Sequence, residues 1–527
     1  MTARAGAARR PALPPAAMLL AALAAGATNV FAFAPYGLWP LQILLLAILL
    51  RLALAAGSVR QSAVLGLAYG WGWTACGVHW LYVSMHHYGG MPAWMAALAV
   101  ALLALLLGMF AALSTGATAW LRRRWNLPAM STFLLAAPAL WALGEWLRGW
   151  VFTGFPWLVS GYAHGAGPLA GFAPVVGVYG LGWLAALAAG ALALLPRHRM
   201  PALLLPLLLA AGWALQALSW TQQQGEPIAV RLLQGNVPQN LKFERERIAT
   251  TLADYDRMIR QQPADLIATP ETALPLLSSQ LPEDYLARLA AFAQDSGSHI
   301  VIGLPMSDGP GRYANSVLGL APAAERAAQG PLYRYDKHHL VPFGEFIPPG
   351  FRWFVDMMRI PLGDFTRGAP LQAPFRVKGQ WVLPNICYED LFGEEIADQL
   401  AAGYFGKMPQ ASLLLNVSNI AWFGDTIALP QHLQISQMRA LETGRPMLRA
   451  TNTGATAVID HKGRVTARLP PYTSGVLAAT VQGRVGVTPY IVLGNGPVVL
   501  LALLALAIAR FLRWKKARKT PEAGKNR

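Results

Sequence analysis

The sequence predicts two unlike parts: an α-helical membrane bundle of about eight transmembrane helices, and an α/β domain carried between the seventh and the eighth. Three observations predict it. Of 527 residues, 54% are hydrophobic and only 13% are charged, about half the charged share usual in soluble domains. Apolar runs of about 20 residues, long enough to cross a bilayer as a helix, recur up to residue 220 and return after 488. The charge is also unevenly shared. Residues 228–485 hold 24 Lys+Arg against 23 Asp+Glu, whereas the rest of the chain holds 19 against 3. That excess sits in short clusters between apolar runs. It reads as a set of topology signals, and no nucleic-acid partner is expected. A disordered chain and an ordinary soluble enzyme are excluded.

Seven apolar runs cover about 16–34, 38–56, 62–83, 92–121, 130–150, 168–195 and 201–220, and an eighth covers about 489–512. Basic residues choose the side of the membrane. Arg9 and Arg10, Arg51 and Arg60, Arg122 to Arg124, Arg197 and Arg199, and the group from Arg513 to Lys519 all fall on one side if the chain crosses eight times. The expected organisation is a cytoplasmic tail at 1–15, a seven-helix region at 16–220, a large domain on the far side at 221–488, a last helix at 489–512 and a basic cytoplasmic tail at 513–527. A cleaved signal peptide over the first run would leave the large domain on the same side. Glu145 and Arg148 stand three apart in the fifth run. An ion pair or a headgroup contact is favoured there over a transport path. His79, His86 and His87 lack a carboxylate or thiol at ligand spacing, so an interfacial role is expected rather than a metal site.

In the large domain, strands are expected over 228–234, 265–269, 299–303, 315–320, 330–336, 381–386, 412–417, 448–451 and 455–460. Helices are expected over 244–261, 282–296, 391–402 and 432–443. The first of these repeats apolar Ile248, Leu252, Tyr255 and Ile259 at helical spacing. Such alternation reads as an α/β fold with a stacked sheet, whose functional residues gather at strand ends.

Three strand ends carry chemistry. Thr269-Pro270-Glu271-Thr272 places a carboxylate beyond one strand. The stretch from Tyr335 to Glu345 leaves another strand with Lys337. Asn385-Ile386-Cys387-Tyr388-Glu389 puts a thiol between a buried strand and a helix. Any one of these alone would be a solvated loop residue, a surface lysine or a small buried hydrophobe. Together they form a nucleophilic set. A thiol needs activation to attack at neutral pH, a carboxylate can take its proton, and an ammonium can stabilise an oxyanion. The only other cysteine, Cys76, lies in an apolar run. A single thiol in a domain facing an oxidising compartment is a candidate nucleophile rather than half of a disulfide.

These segments resemble the Glu-Lys-Cys segments of the carbon–nitrogen hydrolase (nitrilase) superfamily. With the eight-run membrane frame, residues 15–510 resemble its membrane-anchored branch, the bacterial apolipoprotein N-acyltransferase family. Supporting segments are 234–239, 416–425 and 445–454. The resemblance implies a nitrilase-like αββα sandwich in a bacterial inner membrane, with the catalytic domain periplasmic and both termini cytoplasmic. It implies Glu271 as general base, Lys337 as oxyanion stabiliser and Cys387 as nucleophile. Glu345 is implied as a supporting carboxylate, with Tyr388 and Glu389 flanking the nucleophile. Two departures bear on substrate fit: Phe243 stands where a tryptophan is expected, and Ile420 where aspartate is common before Ala-Trp-Phe-Gly.

The resemblance also implies a reaction. An acyl chain would leave a phospholipid, at the sn-1 position of phosphatidylethanolamine, for a thioester on Cys387. It would then pass to the α-amine of a diacylglyceryl-cysteine on an apolipoprotein. The partners are thus a phospholipid donor, a diacylated apolipoprotein acceptor and the bilayer. No cofactor and no metal are expected, since His338 and His339 lack further ligands at useful spacing. Phe343, Phe346, Trp353, Phe354, Met357 and Met358 crowd an apolar segment at 341–363, which reads as a lipid entrance. Phe243 and Trp422 join them as candidate lipid contacts. Two alternatives remain: a membrane-tethered amidase or nitrilase using the same three residues, and a non-catalytic scaffold or transporter.

Overall fold

The computed structural model describes residues 14–195, 198–326, 332–353 and 364–518. Of the expected tails only residues 14–15 and 513–518 are described, and Phe354, Met357 and Met358 lie outside the described residues.

Among the described residues, four helices are long and apolar enough to span a bilayer: Ala93–Arg124, Ala129–Arg148, Pro168–Leu194 and Gly496–Lys515. Three shorter apolar helices cover Ala16–Ala32, Trp39–Ala55 and Leu204–Leu215. The difference from eight expected spans has a physical cause. At 1.5 Å per residue, a 12-residue helix covers only about 18 Å. The helix Val59–Gly77 is 19 residues long, but its glycines, Arg60 and Gln61 dilute its apolar character. The 62–83 run is also broken after Gly77, continuing as a short helix Leu81–Val83 and a π-turn Ser84–Tyr88. The last run divides likewise, into Pro489–Leu493 and Gly496–Arg518.

The large domain is a sandwich of two six-stranded sheets. In spatial order one runs Gly475–Val481, Ile228–Gln234, Leu266–Ala268, His299–Ser307, Tyr313–Leu320, Tyr333–Asp336. The other runs Val465–Arg468, Ala457–Ile459, Met447–Thr451, Leu413–Ser418, Gln380–Ile386, Phe375–Val377. The inner strands of each sheet are parallel and the outer ones antiparallel. Side chains alternate across each strand, and the core follows that period. Leu413, Leu415 and Val417 meet Ile228, Val230 and Leu232 between the sheets. Leu414 faces the other way, onto Ile396 and Leu400 of the helix Gly393–Tyr404. Ile267, Ile300 and Ile302 take Leu252 and Leu289 from the helices Arg245–Arg260 and Tyr285–Ser296. The four layers are therefore helix, sheet, sheet, helix.

The helix Ala428–Thr443 joins this domain to the bundle. Ala440 packs on the sheet, while Ile435, Met438 and Leu441 belong to the core of the membrane bundle. Its polar residues Gln431, His432, Ser436, Arg439 and Glu442 are buried as well. At Gly177 (φ +64) the helix from Ala173 kinks. A side chain there would strike the Tyr490 ring. The kink exposes the N–H of Val178, which donates to Glu442 Oε1 at 2.7 Å, and Glu442 Oε2 lies 2.9 Å from Arg439 Nη2. Glu442→Ala would leave that guanidinium buried without its carboxylate. It is expected to cost about 3–5 kcal/mol, seen as a lower unfolding midpoint in detergent. An unchanged midpoint would mean that this carboxylate does not hold the joint.

Candidate active site

Cys387 stands at the end of the strand Gln380–Ile386, where the chain turns into Cys387–Leu391. Its φ is +54, a left-handed conformation that costs a non-glycine residue energy and persists only where surroundings enforce it. Those surroundings are visible. The Cys387 carbonyl accepts from Asn416 Nδ2 at 3.2 Å and faces His432 Nε2 at 3.3 Å. Arg449 donates to His432 Nδ1 at 2.9 Å, which leaves the imidazole proton on Nε2, 2.9 Å from Asp390 Oδ1. Arg449 also pairs with Asp390 at 3.1 Å. A fully buried polar network thus backs the turn.

Glu271 follows the strand Leu266–Ala268, and Lys337 follows Tyr333–Asp336. The fold brings them together. Lys337 Nζ donates to Glu271 Oε1 at 3.3 Å and to Glu345 Oε1 at 2.8 Å. Lys337 is 1% exposed, and both carboxylates are buried. Asn315 Nδ2 donates to the same two oxygens, at 2.7 and 2.8 Å. The remaining oxygens are also engaged: Glu271 Oε2 accepts from the Asn419 N–H and Glu345 Oε2 from the Val341 N–H, both at 2.8 Å.

The charges follow from this geometry. Burial alone would push the Glu271 carboxyl up, but Lys337, Asn315, Lys242 and the Asn419 N–H outweigh it and hold it below the usual carboxylate range. Burial would push Lys337 down, yet Glu271 and Glu345 carry it well above the ordinary lysine value. Burial pushes the Cys387 thiol far up, and the Glu271 charge adds to this against Lys337. The resting set is therefore a carboxylate, an ammonium and a protonated thiol, so attack by sulfur requires a base.

The other expected residues divide. Glu389 is buried and accepts four bonds: from the His338 and His339 N–H groups at 2.6 and 3.2 Å, the Ile386 N–H at 2.6 Å and the Tyr335 hydroxyl at 3.1 Å. It ties the turn at Cys387 to the loop that carries Lys337. An amide cannot accept at both ends, so Glu389→Gln is expected to cost about 1–3 kcal/mol and to slow Cys387 alkylation. Unaltered alkylation would remove this positioning role. Tyr388 reaches the bundle, where its hydroxyl donates to the Gly154 carbonyl at 2.9 Å.

Phe243 and Trp422 line one cavity of about 320 Å³ with His87, Tyr88, Gln239, Asn240 and Glu244. Tyr88 meets Trp422 edge to face at 6.1 Å. Phe343 packs edge to face on Phe351 at 5.4 Å, the Arg367 guanidinium lies over Phe346 at 5.1 Å, and Trp353 is 65% exposed. Reading the sequence missed Asn315, Asn419 and Lys242. The roles of Asn315 and Asn419 depend on partners 30 or more residues away. Lys242 is 2% exposed, and its Nζ donates to the Glu271 carbonyl at 3.3 Å.

The site faces the bundle. His339 Nε2 lies 2.9 Å from the Thr153 carbonyl, the rings of Trp80 and Phe423 are 4.3 Å apart, and Trp157 stacks on His432 at 5.7 Å. Both halves also match known families. Residues 25–191 match the apolipoprotein N-acyltransferase N-terminal domain, and residues 228–490 match the carbon-nitrogen hydrolase family. The apolipoprotein N-acyltransferase of Ralstonia nicotianae is 51% identical over 92% of this chain and 92% of its own. The chain belongs to the apolipoprotein N-acyltransferase family. The family's protein from Nitrosomonas europaea is 46% identical, over 95% of this chain and 99% of its own. Among solved structures, a nitrilase-superfamily amidase from Nesterenkonia aligns with 50% of this chain and 92% of its own, at 20% identity and a TM-score of 0.34. By its match over residues 228–490 the αββα domain of this family member is a carbon-nitrogen hydrolase domain, and its apolar helices fit a membrane protein.

Proposed function

We propose that this chain N-acylates apolipoproteins by two transfers through a thioester on Cys387. The supporting observation is the buried Glu271–Lys337–Glu345 cluster, which acts on the Cys387 thiol on the side of the domain packed against the membrane bundle. In the first transfer, Cys387 Sγ attacks the sn-1 ester of phosphatidylethanolamine. The S–C bond forms, Glu271 takes the thiol proton, and Lys337 stabilises the oxyanion. The ester C–O bond then breaks, and the proton leaves with the lysophospholipid. In the second, the α-amine of a diacylglyceryl-cysteine attacks the thioester. Its N–C bond forms as Glu271 takes a proton from the amine nitrogen, the S–C bond breaks, and Glu271 passes that proton to sulfur. Glu345 and Asn315 hold Lys337 and Glu271 at fixed spacing.

Under this reading the chain crosses the membrane eight times, with the shorter helices included, and residues 221–488 lie in the periplasm with both termini cytoplasmic. The bundle holds the thiol beside its donor and raises the effective concentration of acyl chains. Phe343, Phe346 and Trp353 edge the lipid entrance, and the cavity of Phe243 and Trp422 takes lipid. Purified protein mixed with phosphatidylethanolamine and a diacylated lipopeptide should yield a lipopeptide heavier by one acyl chain. Release of free fatty acid with the lipopeptide unchanged would favour a hydrolase.

A further inference from the structure

We propose that Lys242 is a positioning residue of the acylation site: it pins the main chain of Glu271 and supplies the second positive charge that lets sulfur give its proton to that carboxylate. The inference rests on the reading of Cys387 as nucleophile and Glu271 as base. It begins from a charge balance. Glu271 and Glu345 are two buried anions, and Lys337 is one buried cation bonded to both. These three groups leave one negative charge beside the thiol. Once Glu271 takes the thiol proton, that charge rests on sulfur, where in a site of low polarity it would have only Lys337, already bonded to Glu345, to offset it.

Lys242 changes the balance. It enters from the segment before the helix Arg245–Arg260, and its ammonium reaches the Glu271 carbonyl at 3.3 Å. It is almost wholly buried, and a lysine is rarely buried without an electrostatic partner. The titratable groups facing it are Glu271 and Cys387. Beyond them stand Lys337 and Glu345, and behind the Cys387 turn Asp390 and Arg449 are paired with each other. With Lys242 charged, the set beside the thiol is neutral before and after the proton moves from Sγ to the Glu271 carboxylate, and no other bond changes in that step. Burial lowers the Lys242 ammonium to about 8, against the pull of Glu271 and Cys387, so the cation is present at neutral pH and is lost in mild alkali.

That loss gives the inference a signature that a purely structural lysine would lack. In the full-length chain in detergent, on a Cys76→Ser background so that Cys387 is the single thiol, iodoacetamide alkylation is followed from pH 5 to 10. Removing a cation beside Glu271 and Cys387 raises the proton affinity of both. Lys242→Met is therefore expected to lower the alkylation rate about ten-fold below about pH 8. The two profiles should converge above about pH 8, where Lys242 itself becomes neutral. Lys242→Arg, which keeps its charge, should restore the rate below about pH 8 and stay apart from the Met variant in alkali. Superimposable profiles for the parent and Lys242→Met would overturn the inference, as would an Arg variant that behaves like Met. An unfolding scan of each variant keeps a folding defect separate, since a misfolded Met variant would fail the scan and the Arg comparison with the parent would then decide. Failure of the underlying reading would look different: Cys387→Ser would keep its acyl transfer.

Discussion

Cys387→Ser is expected to lower acyl transfer to a diacylated lipopeptide at least about 10³-fold, without a change in unfolding midpoint. Serine fits the same turn and can adopt the same backbone, but its hydroxyl is a far weaker nucleophile and gives up its proton less readily than a thiol. The carbonyl of residue 387 would keep Asn416 and His432 as partners, so the turn should survive. Lipopeptide acylation followed by mass spectrometry is the measurement. A serine variant with parental turnover would show that residue 387 does not carry the acyl chain.

Lys337→Met is expected to have the second largest effect, and on two quantities at once. Its ammonium is the cation that both Glu271 and Glu345 contact directly. Without it, two buried carboxylates share only the Asn315 amide. Removing one partner from a buried ion cluster costs about 3–5 kcal/mol. The remaining pair relieves this by taking up a proton, because two close carboxylates cannot both stay ionised at low polarity. Proton uptake by Glu271 removes the base, so acyl transfer should fall about 10³-fold or more. Lys337→Arg keeps the charge but replaces a compact ammonium with a planar fork, and is expected to recover stability better than activity. Calorimetry and the lipopeptide assay on the same preparations separate the two effects. A stable Met variant with unaltered transfer would contradict the cluster's role.

The sequence was most informative where the chain repeats a simple period. The strand at 228–234 has the expected limits, and the strands that lead to Glu271, Lys337 and Cys387 overlap those expected at 265–269, 330–336 and 381–386. Residue chemistry at their ends was enough to single out these three as candidates, whereas Glu345 came only from the family resemblance. Three kinds of feature were less legible. Asn315 and Asn419 act through hydrogen bonds across the fold, which no local pattern encodes. The helix Ala428–Thr443 is buried although it is rich in polar residues, because it lies between the sheet and the bundle and its polar groups pair with both. Tyr388 sits beside the nucleophile in sequence, yet the turn at Cys387 sends it to the bundle, where it bonds Gly154. In the membrane part hydropathy located the runs, but breaks after Gly77 and at Gly494 depend on local backbone geometry rather than composition.

A covalent acyl-enzyme on Cys387 can be detected by intact-protein mass spectrometry after incubation with phosphatidylethanolamine alone. A mass increase of one acyl chain is expected, mapped by fragmentation to Cys387, absent from Cys387→Ser and discharged by a diacylated lipopeptide far faster than by water. Transfer to the lipopeptide without an adduct at any time, or an adduct mapped to another residue, would contradict it.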